Sequence, residues 1–492
     1  MPQFSLLVRI QNPIFSMLSA LVDSLKAQTN PDWELVAVVD HSRVADWTLL
    51  QALTAAEPRM RTIFVPDSEL LAWVANGQTA SLGDWLVFVD QHDHLVPTAL
   101  AQLAVAAGAA PAARVIYGDE CYRDGSGRRS YVTYKGQLDP TRLLAQEHIG
   151  MPAAIQVAYL QASGGFDRLA SDVPTHDLYL RWVEALGETG FAYVPEVLIE
   201  HHRSYLAPAN PDIRQQPHLV RYDLYAIRQA LTRRSLNAEV IQLVGTAHIT
   251  LRPTTKLPCS IILLVGDDTP AGFERIHALN RTLASNPVNV TVVQRGSHAG
   301  AAQDYQEICR ALGWKHQRTI QTVPAYLHEY LATATTEWIC VLDGLALNWG
   351  WLDQLMSHAQ LIGAGAASAR TTTPRQLTVP GLPGYRYEGW DWNTCGRFNH
   401  LQVTHQTTGL GSACLVFSQH LARQVGGIRP DLPSLWALDL TRRLDQANYR
   451  LLSVPYAHIQ VASASPADPA ESLLFQAAHP VWEDRYNLQL PL

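Results

Sequence analysis

The chain repeats itself. "QFSLLVRIQN" (3–12) is answered by "LPCSIILLVGDD" (257–268), and "WELVAVVDHS" (33–42) by "VNVTVVQRGS" (288–297). "GDWLVFVDQHDHL" (83–95) is answered by "TEWICVLDGLAL" (336–347), and "ASGGFDRLASDVPTHDLYLRWV" (162–183) by "QVGGIRPDLPSLWALDLTRRL" (424–444). Four paired segments in one order are the mark of an internal duplication, so the chain is read as two copies of one domain. Within each copy, short apolar runs alternate with helical patterns: strands at 4–10, 33–40 and 85–90, and a helix at 15–27. Strands this apolar, separated by helices, predict the α/β class with a mostly parallel sheet covered on both faces.

Composition sets the outer limits. At 492 residues, 47% hydrophobic and 16% charged, the chain can bury more than one core and divides into about two to four domains. A net charge of −7 offers no basic surface for nucleic acid. The longest apolar runs, such as "SIILLV" (260–265), are too short to span a bilayer. The opening "MPQFSLLVRI" has no basic region followed by an apolar run, so a cytoplasmic protein is expected, soluble or peripheral at the inner membrane. Cysteines 121, 259, 309, 340, 395 and 414 form no CxxC pair, which suits reduced structural thiols. "SYLAPANPDIRQQP" (204–217) reads as a connector, and Val220, Leu224, Ile227 and Leu231 after it recur at helical spacing. The expected division is a first domain at 1–205, a connector and linking helix at 206–256, and a second domain at 257–492.

"QTNPDWELVAVVDHS" (28–42) resembles a segment of the family-2 glycosyltransferases with the GT-A fold, especially the large bacterial ones that build surface polysaccharides. "NGQTASLGDWLVFVDQHDHL" (76–95), "VIYGDE" (115–120), "GGFD" (164–167) and "HDLYLR" (176–181) agree with that family in order and spacing, and "WEDRYNLQL" (482–490) is similar to its closing segment. The likeness covers nearly all of 1–205 and, more weakly, 257–465.

The resemblance implies two tandem GT-A domains, Rossmann-like nucleotide-diphospho-sugar transferase folds, and a single displacement with inversion at the anomeric carbon. The family carries an Asp-x-Asp signature that holds Mn²⁺ or Mg²⁺ against the donor diphosphate, as hard cations require oxygen ligands. Here Asp90 falls on the first acid, His92 on the second and Asp93 on the next, so one carboxylate is replaced by imidazole. Transition ions tolerate that exchange better than Mg²⁺ does. His201 or His202 of "IEHHRS" (199–204) could complete the set, and a strand would turn these neighbours to opposite faces. The implied metal ligands are therefore Asp90, His92, Asp93 and His201.

The resemblance also places Asn12, Asp40, Ser42, Asn76 and Asp90 in the donor pocket, with Arg203 on the diphosphate. A planar guanidinium suits phosphate oxygens. Asp40 reads equally as a helix-capping acid. The family's catalytic base falls on Thr175, which cannot serve at neutral pH. His176 titrates near neutrality and is the expected substitute. Asp177 is read either as a catalytic acid or as a helix-start acid, and Asp119 and Glu120 as acids on the acceptor side.

In the second copy Gln294 and Arg295 replace the nucleobase acid, only Asp343 of the metal acids remains, and Ala437 occupies the base position. The aromatic insert "GYRYEGWDWNTCGRF" (384–398) could stack on sugar rings or pack as an ordered loop. Two functional classes stand open. One is an inverting transferase moving a sugar from a nucleotide donor to a glycan or glycoprotein acceptor in bacterial surface glycan synthesis. The other is a non-catalytic partner, as a homodimer or within a glycan-assembly complex.

Overall fold

The computed structural model describes all residues except 1–2, 11–13, 41–47, 66–69, 125, 168–173, 203–216, 243–248, 254–256, 284–287, 378–388, 390, 392–400, 463–467 and 481–492. The chain forms two compact units, Met1–Arg234 with Gln242–Ala247, and Ser235–Ile241 with His248–Leu492.

The first unit is built on β1 (Phe4–Ile10), β2 (Trp33–Asp40), β3 (Met60–Val65), β4 (Trp85–Asp90), β5 (His94–Leu95), β6 (Val115–Arg123), β7 (Arg129–Thr133), β8 (Ala153–Gln156) and β9 (Phe191–His202). Their order across the sheet is β3-β2-β1-β4-β8-β6-β9-β5, with β7 paired to β6. β1 lies parallel between β2 and β4, with Phe4 opposite both Trp33 and Trp85. β8 is antiparallel to β4 and β6. Helices Phe15–Lys26, Thr48–Ala56 and Leu70–Ala80 make the crossovers between the parallel strands. Central strands covered on both faces explain the near-continuous apolar runs: Phe4, Leu6, Leu7 and Val8 of β1 are all fully buried. Each such side chain contributes about 1.5–3 kcal/mol of transfer free energy.

A two-stranded sheet of β10 (Ala238–Gln242) and β11 (Ile249–Pro253) follows. The second unit then runs through β12 (Cys259–Val265), β13 (Val288–Arg295), β14 (Lys315–Thr319), β15 (Trp338–Leu342), β16 (Leu345–Ala346), β17 (Ala366–Thr372), β18 (His405–Thr407), β19 (Cys414–Ser418) and β20 (Leu451–Gln460). Its order, β14-β13-β12-β15-β19-β17-β20-β16, is the first order repeated strand for strand. The duplication read in the sequence is therefore a duplication of topology. Each unit is an α/β domain with a mixed sheet. The antiparallel members are what the apolar runs did not disclose, since periodicity carries no strand direction.

The helix Pro217–Arg233, expected as part of a linker, belongs to the first unit. It is held there by Arg233 on Glu184, Nε to Oε2 2.7 Å, and by Tyr225 Oη on Asp167 at 3.1 Å. The described cysteines 121, 259, 309, 340 and 414 are free and buried. Among the described residues, no helix is long and apolar enough to cross a membrane.

Candidate donor site at the strand ends of the first unit

The strand order reverses between β1 and β4, and ligands of open α/β sheets bind outside the carboxyl ends of strands at such a point. Asp90 ends β4 there, opposite Arg9 of β1, with its side chain 35% exposed. Asp40 ends β2 opposite Val65. Asn76 is exposed on the helix Leu70–Ala80. Asn12, Ser42 and Arg203 lie outside the described residues, as does the aromatic insert apart from Gly389 and Asp391.

Past Asp90 the chain turns sharply. The Asp90 amide donates to Asp93 Oδ2 at 2.7 Å, and the His92 amide donates to Asp90 Oδ1 at 3.0 Å. His92 Nδ1 lies 2.6 Å from that same oxygen. β5 then pairs with β9, His94 opposite Glu200, and β9 runs parallel to β6 with Tyr122 opposite His201. This pairing brings three distant segments to one spot. His201 Nδ1 sits 2.7 Å from Asp93 Oδ1, His201 Nε2 is 3.8 Å from Glu120 Oε2, and Lys135 Nζ is 2.9 Å from Glu120 Oε2.

The result is a buried row of alternating charge, Lys135, Glu120, His201, Asp93, ending under Asp90. Burial works against a charge on His201, but the carboxylates of Asp93 and Glu120 outweigh it and push the imidazolium up to about 10. Burial acts to raise Glu120, yet Lys135 and His201 hold it down to about 2. Burial pushes Asp93 up, opposed by His201.

Two of the expected metal ligands, Asp93 and His201, thus lie against each other. Asp93 Oδ2 accepts from the Asp90 amide, and its Oδ1 faces His201 Nδ1. Asp93 and His201 therefore shape the turn that presents Asp90. Among the described residues, no group of three or more His, Cys, Asp or Glu is arranged to hold a metal ion.

The expected catalytic residues also sit differently. His176 is fully buried, its Nε2 2.7 Å from the Leu143 carbonyl oxygen, and so supports the helix Pro140–Leu143. Asp177 is buried between Arg181, 2.8 Å from its Oδ2, and Arg233, 3.3 Å from its Oδ1. Asp119 is buried and accepts from Tyr193 Oη at 2.8 and 2.9 Å and from the Lys135 amide at 2.9 Å. Burial, the largest influence, raises its carboxyl to about 6. Sequence patterns gave no signal for Lys135 or Tyr193, because neither lies in a segment with recognisable spacing.

Residues 7–160 match the profile described as glycosyl transferase family 2. An uncharacterized protein of Sinorhizobium fredii is 22% identical over 499 residues, covering 96% of this chain and 54% of that protein. The O-antigen biosynthesis protein RfbC of Myxococcus xanthus is 24% identical over 452 residues, covering 87% and 34%. The chain thus spans about half and about a third of the length of these curated relatives. Among solved structures, TarS of S. aureus overlaps 46% of this chain and 39% of its own, at 13% identity and a TM-score of 0.34. A mannosyltransferase of Pyrobaculum calidifontis in complex with GDP-Man and Mn²⁺ overlaps 43% and 58%, at 17% identity and a TM-score of 0.33.

Proposed function

We propose that the first unit transfers a sugar, with inversion, from a nucleoside-diphosphate donor to a saccharide or protein acceptor in bacterial surface glycan synthesis. The observation that carries this reading is the partly exposed Asp90 at the switch point of a domain matching glycosyl transferase family 2. Donor binding falls to Asp40, Asp90 and Asn76, with Asn12, Ser42 and Arg203 assigned from sequence.

The site fits a divalent ion in one way. Mg²⁺ and similar ions are commonly held by one or two carboxylates with substrate phosphates supplying the remaining oxygens. Asp90 offers such a carboxylate, with His92 beside it. When bound, the ion would neutralise charge growing on the leaving diphosphate. The buried row beneath Asp90 keeps the turn from shifting, so the carboxylate meets the donor already oriented.

For proton removal, Asp119 has a pKa of about 6, in the range suited to a general base at neutral pH. His176 and Asp177 are committed to packing. A second reading, a non-catalytic glycan-binding partner, is favoured by the complete engagement of His176, Asp177 and Asp119 in protein bonds.

Calorimetric titration of the protein with UDP, GDP and dTDP, each with and without Mn²⁺, tests the choice. Metal-dependent binding of one nucleotide, lost in Asp90→Ala, supports the transferase. Absence of binding by all three rejects a working donor site and leaves the partner reading.

A further inference from the structure

Arg123 and Arg129 stand directly opposite each other across the antiparallel hairpin of β6 and β7. Like charges in that relation destabilise a sheet. Glu200 of β9, its side chain 7% exposed, holds the two together: Arg129 Nε donates to Oε1 at 2.5 Å, and Arg123 Nη1 donates to Oε2 at 3.3 Å.

Each guanidinium is tethered by one nitrogen only. Among the described residues neither makes another hydrogen bond, so Arg129 keeps Nη1 and Nη2 and Arg123 keeps Nε and Nη2. Their side chains are 53% and 38% exposed, which puts those donors in reach of solvent. Arginines that serve the fold of this chain are spent differently. Arg181 commits Nε to Asp177, Nη1 to the Ser163 carbonyl and Nη2 to the Gly165 carbonyl, and Arg443 commits the same three nitrogens. A planar guanidinium fork suits carboxylate and phosphate oxygens, and a tethered one loses less side-chain entropy on binding.

The charge of the hairpin is positive. It carries the exposed Arg128 as well, and Asp124, whose Oδ1 accepts from the Ser126 amide and hydroxyl and from the Arg128 amide. Counting His94 as neutral, three arginines against Asp124 and Glu200 leave one net positive charge, on a chain whose net charge is −7. Register ties the feature to the unit that holds Asp90. β5 sets His94 opposite Glu200, whereas β16 sets Leu345 opposite Gln460, so the station of the buried carboxylate holds an amide in the second unit. The extra strand also moves: β7 pairs with β6, but β18 pairs with β20.

We infer that the β6–β7 hairpin binds the acidic groups of an anionic saccharide chain, the acceptor of the transfer proposed above. Arg123 lies four residues beyond Asp119 on β6, about 13 Å along an extended strand. That is farther than one sugar ring spans, so the ligand is an oligosaccharide. The shared chemistry is an oxyanion, carboxylate or phosphate, borne on that chain. Only its assignment as acceptor rests on the transfer reading; binding at the hairpin does not.

The test is calorimetry on the full chain, without nucleotide, using hyaluronan hexasaccharide, pentamannosyl phosphate and unphosphorylated mannopentaose. One or both anionic chains should bind saturably and more weakly as salt rises, with mannopentaose about tenfold weaker or more. Which anion binds separates carboxylate from phosphate. The triple variant Arg123→Gln, Arg129→Gln and Glu200→Gln removes both guanidiniums without stranding the buried carboxylate, and should weaken binding by about tenfold or more. Arg128→Glu, which leaves the Glu200 contacts in place, should weaken it by about threefold or more. Failure of both anionic chains to bind wild type overturns the inference. So does equal binding of mannopentaose, or wild-type affinity in the folded triple variant or in Arg128→Glu. Metal-dependent nucleotide binding is read in a separate titration, so its failure removes the acceptor assignment while the hairpin is judged on its own result.

Discussion

Asp177 and Arg181 form an ion pair one helical turn apart, Nε to Oδ2 2.8 Å, and the guanidinium extends to the carbonyl oxygens of Ser163 at 3.2 Å and Gly165 at 2.6 Å. The second unit repeats this with Asp439 and Arg443, Nε to Oδ2 2.9 Å, and with the carbonyls of Val425 and Gly427. In both, the tethered turn carries two left-handed glycines, Gly164 and Gly165 at φ 88° and 70°, and Gly426 and Gly427 at φ 95° and 75°. That backbone favours glycine because a Cβ is strained there. The device persists in the copy whose base position is Ala437, so it serves the fold.

Asp177→Asn should therefore act on stability. Breaking a buried ion pair leaves Arg181 and the turn carbonyls poorly matched, a loss of about 3–5 kcal/mol. Urea melts should show the same direction of effect for Asp439→Asn. A stable Asp177→Asn protein that has lost transfer alone would restore the catalytic role.

The charge row sets a pH window. His201 titrates at about 10 in the folded chain against 6.5 when exposed, so its stabilisation is complete below about 6.5 and is lost as pH rises through about 10. Glu120 titrates at about 2 against 4.5, so its contribution is present above about 4.5 and is lost as pH falls through about 2. His201→Ala should destabilise by about 3 kcal/mol near pH 6, by stranding Asp93. The gap to wild type should narrow toward pH 10. A gap that stays constant with pH would remove the imidazolium from this account.

Asp90→Ala should abolish nucleotide binding with little change in melting temperature, because the side chain is about one-third exposed. Asp343, its counterpart, is paired to Arg275 at 2.7 Å and Arg295 at 3.3 Å. Such partly exposed pairs contribute about 0–1 kcal/mol each. Asp343→Ala should leave nucleotide binding and transfer unchanged; reduced turnover in a stable variant would give the second unit a part in the chemistry.

Gly272 lies in the helix Thr269–Thr282, where an added Cβ would fall 1.9 Å from Tyr305 Oη. Tyr305 is buried and donates to the Gly266 and Asp268 carbonyls at 3.0 and 3.1 Å. Gly272→Ala should cost about 1–3 kcal/mol by overpacking, and the double variant with Tyr305→Phe should recover part of it in thermal melts. Additive losses would mean the clash is relieved elsewhere.

The sequence by itself determined the α/β class, the duplication and the ends of the central strands, because apolar periodicity and repeated order are local properties of a chain. It also marked Asp90, since an acid closing an apolar strand is visible in one dimension. Tertiary structure decided which polar groups remain for chemistry. Asp93, His201 and Glu120 lie on strands far apart in sequence, and only the pairing of β5 with β9 and of β9 with β6 joins them. Their proximity sets Asp93 and His201 against each other, 2.7 Å apart, a contact no linear reading shows. In the same way His176 titrates near neutrality as a bare side chain, but the fold buries it against the Leu143 carbonyl. Residue type sets what a group can do in water; desolvation and the partners that the fold supplies set what it does in the protein.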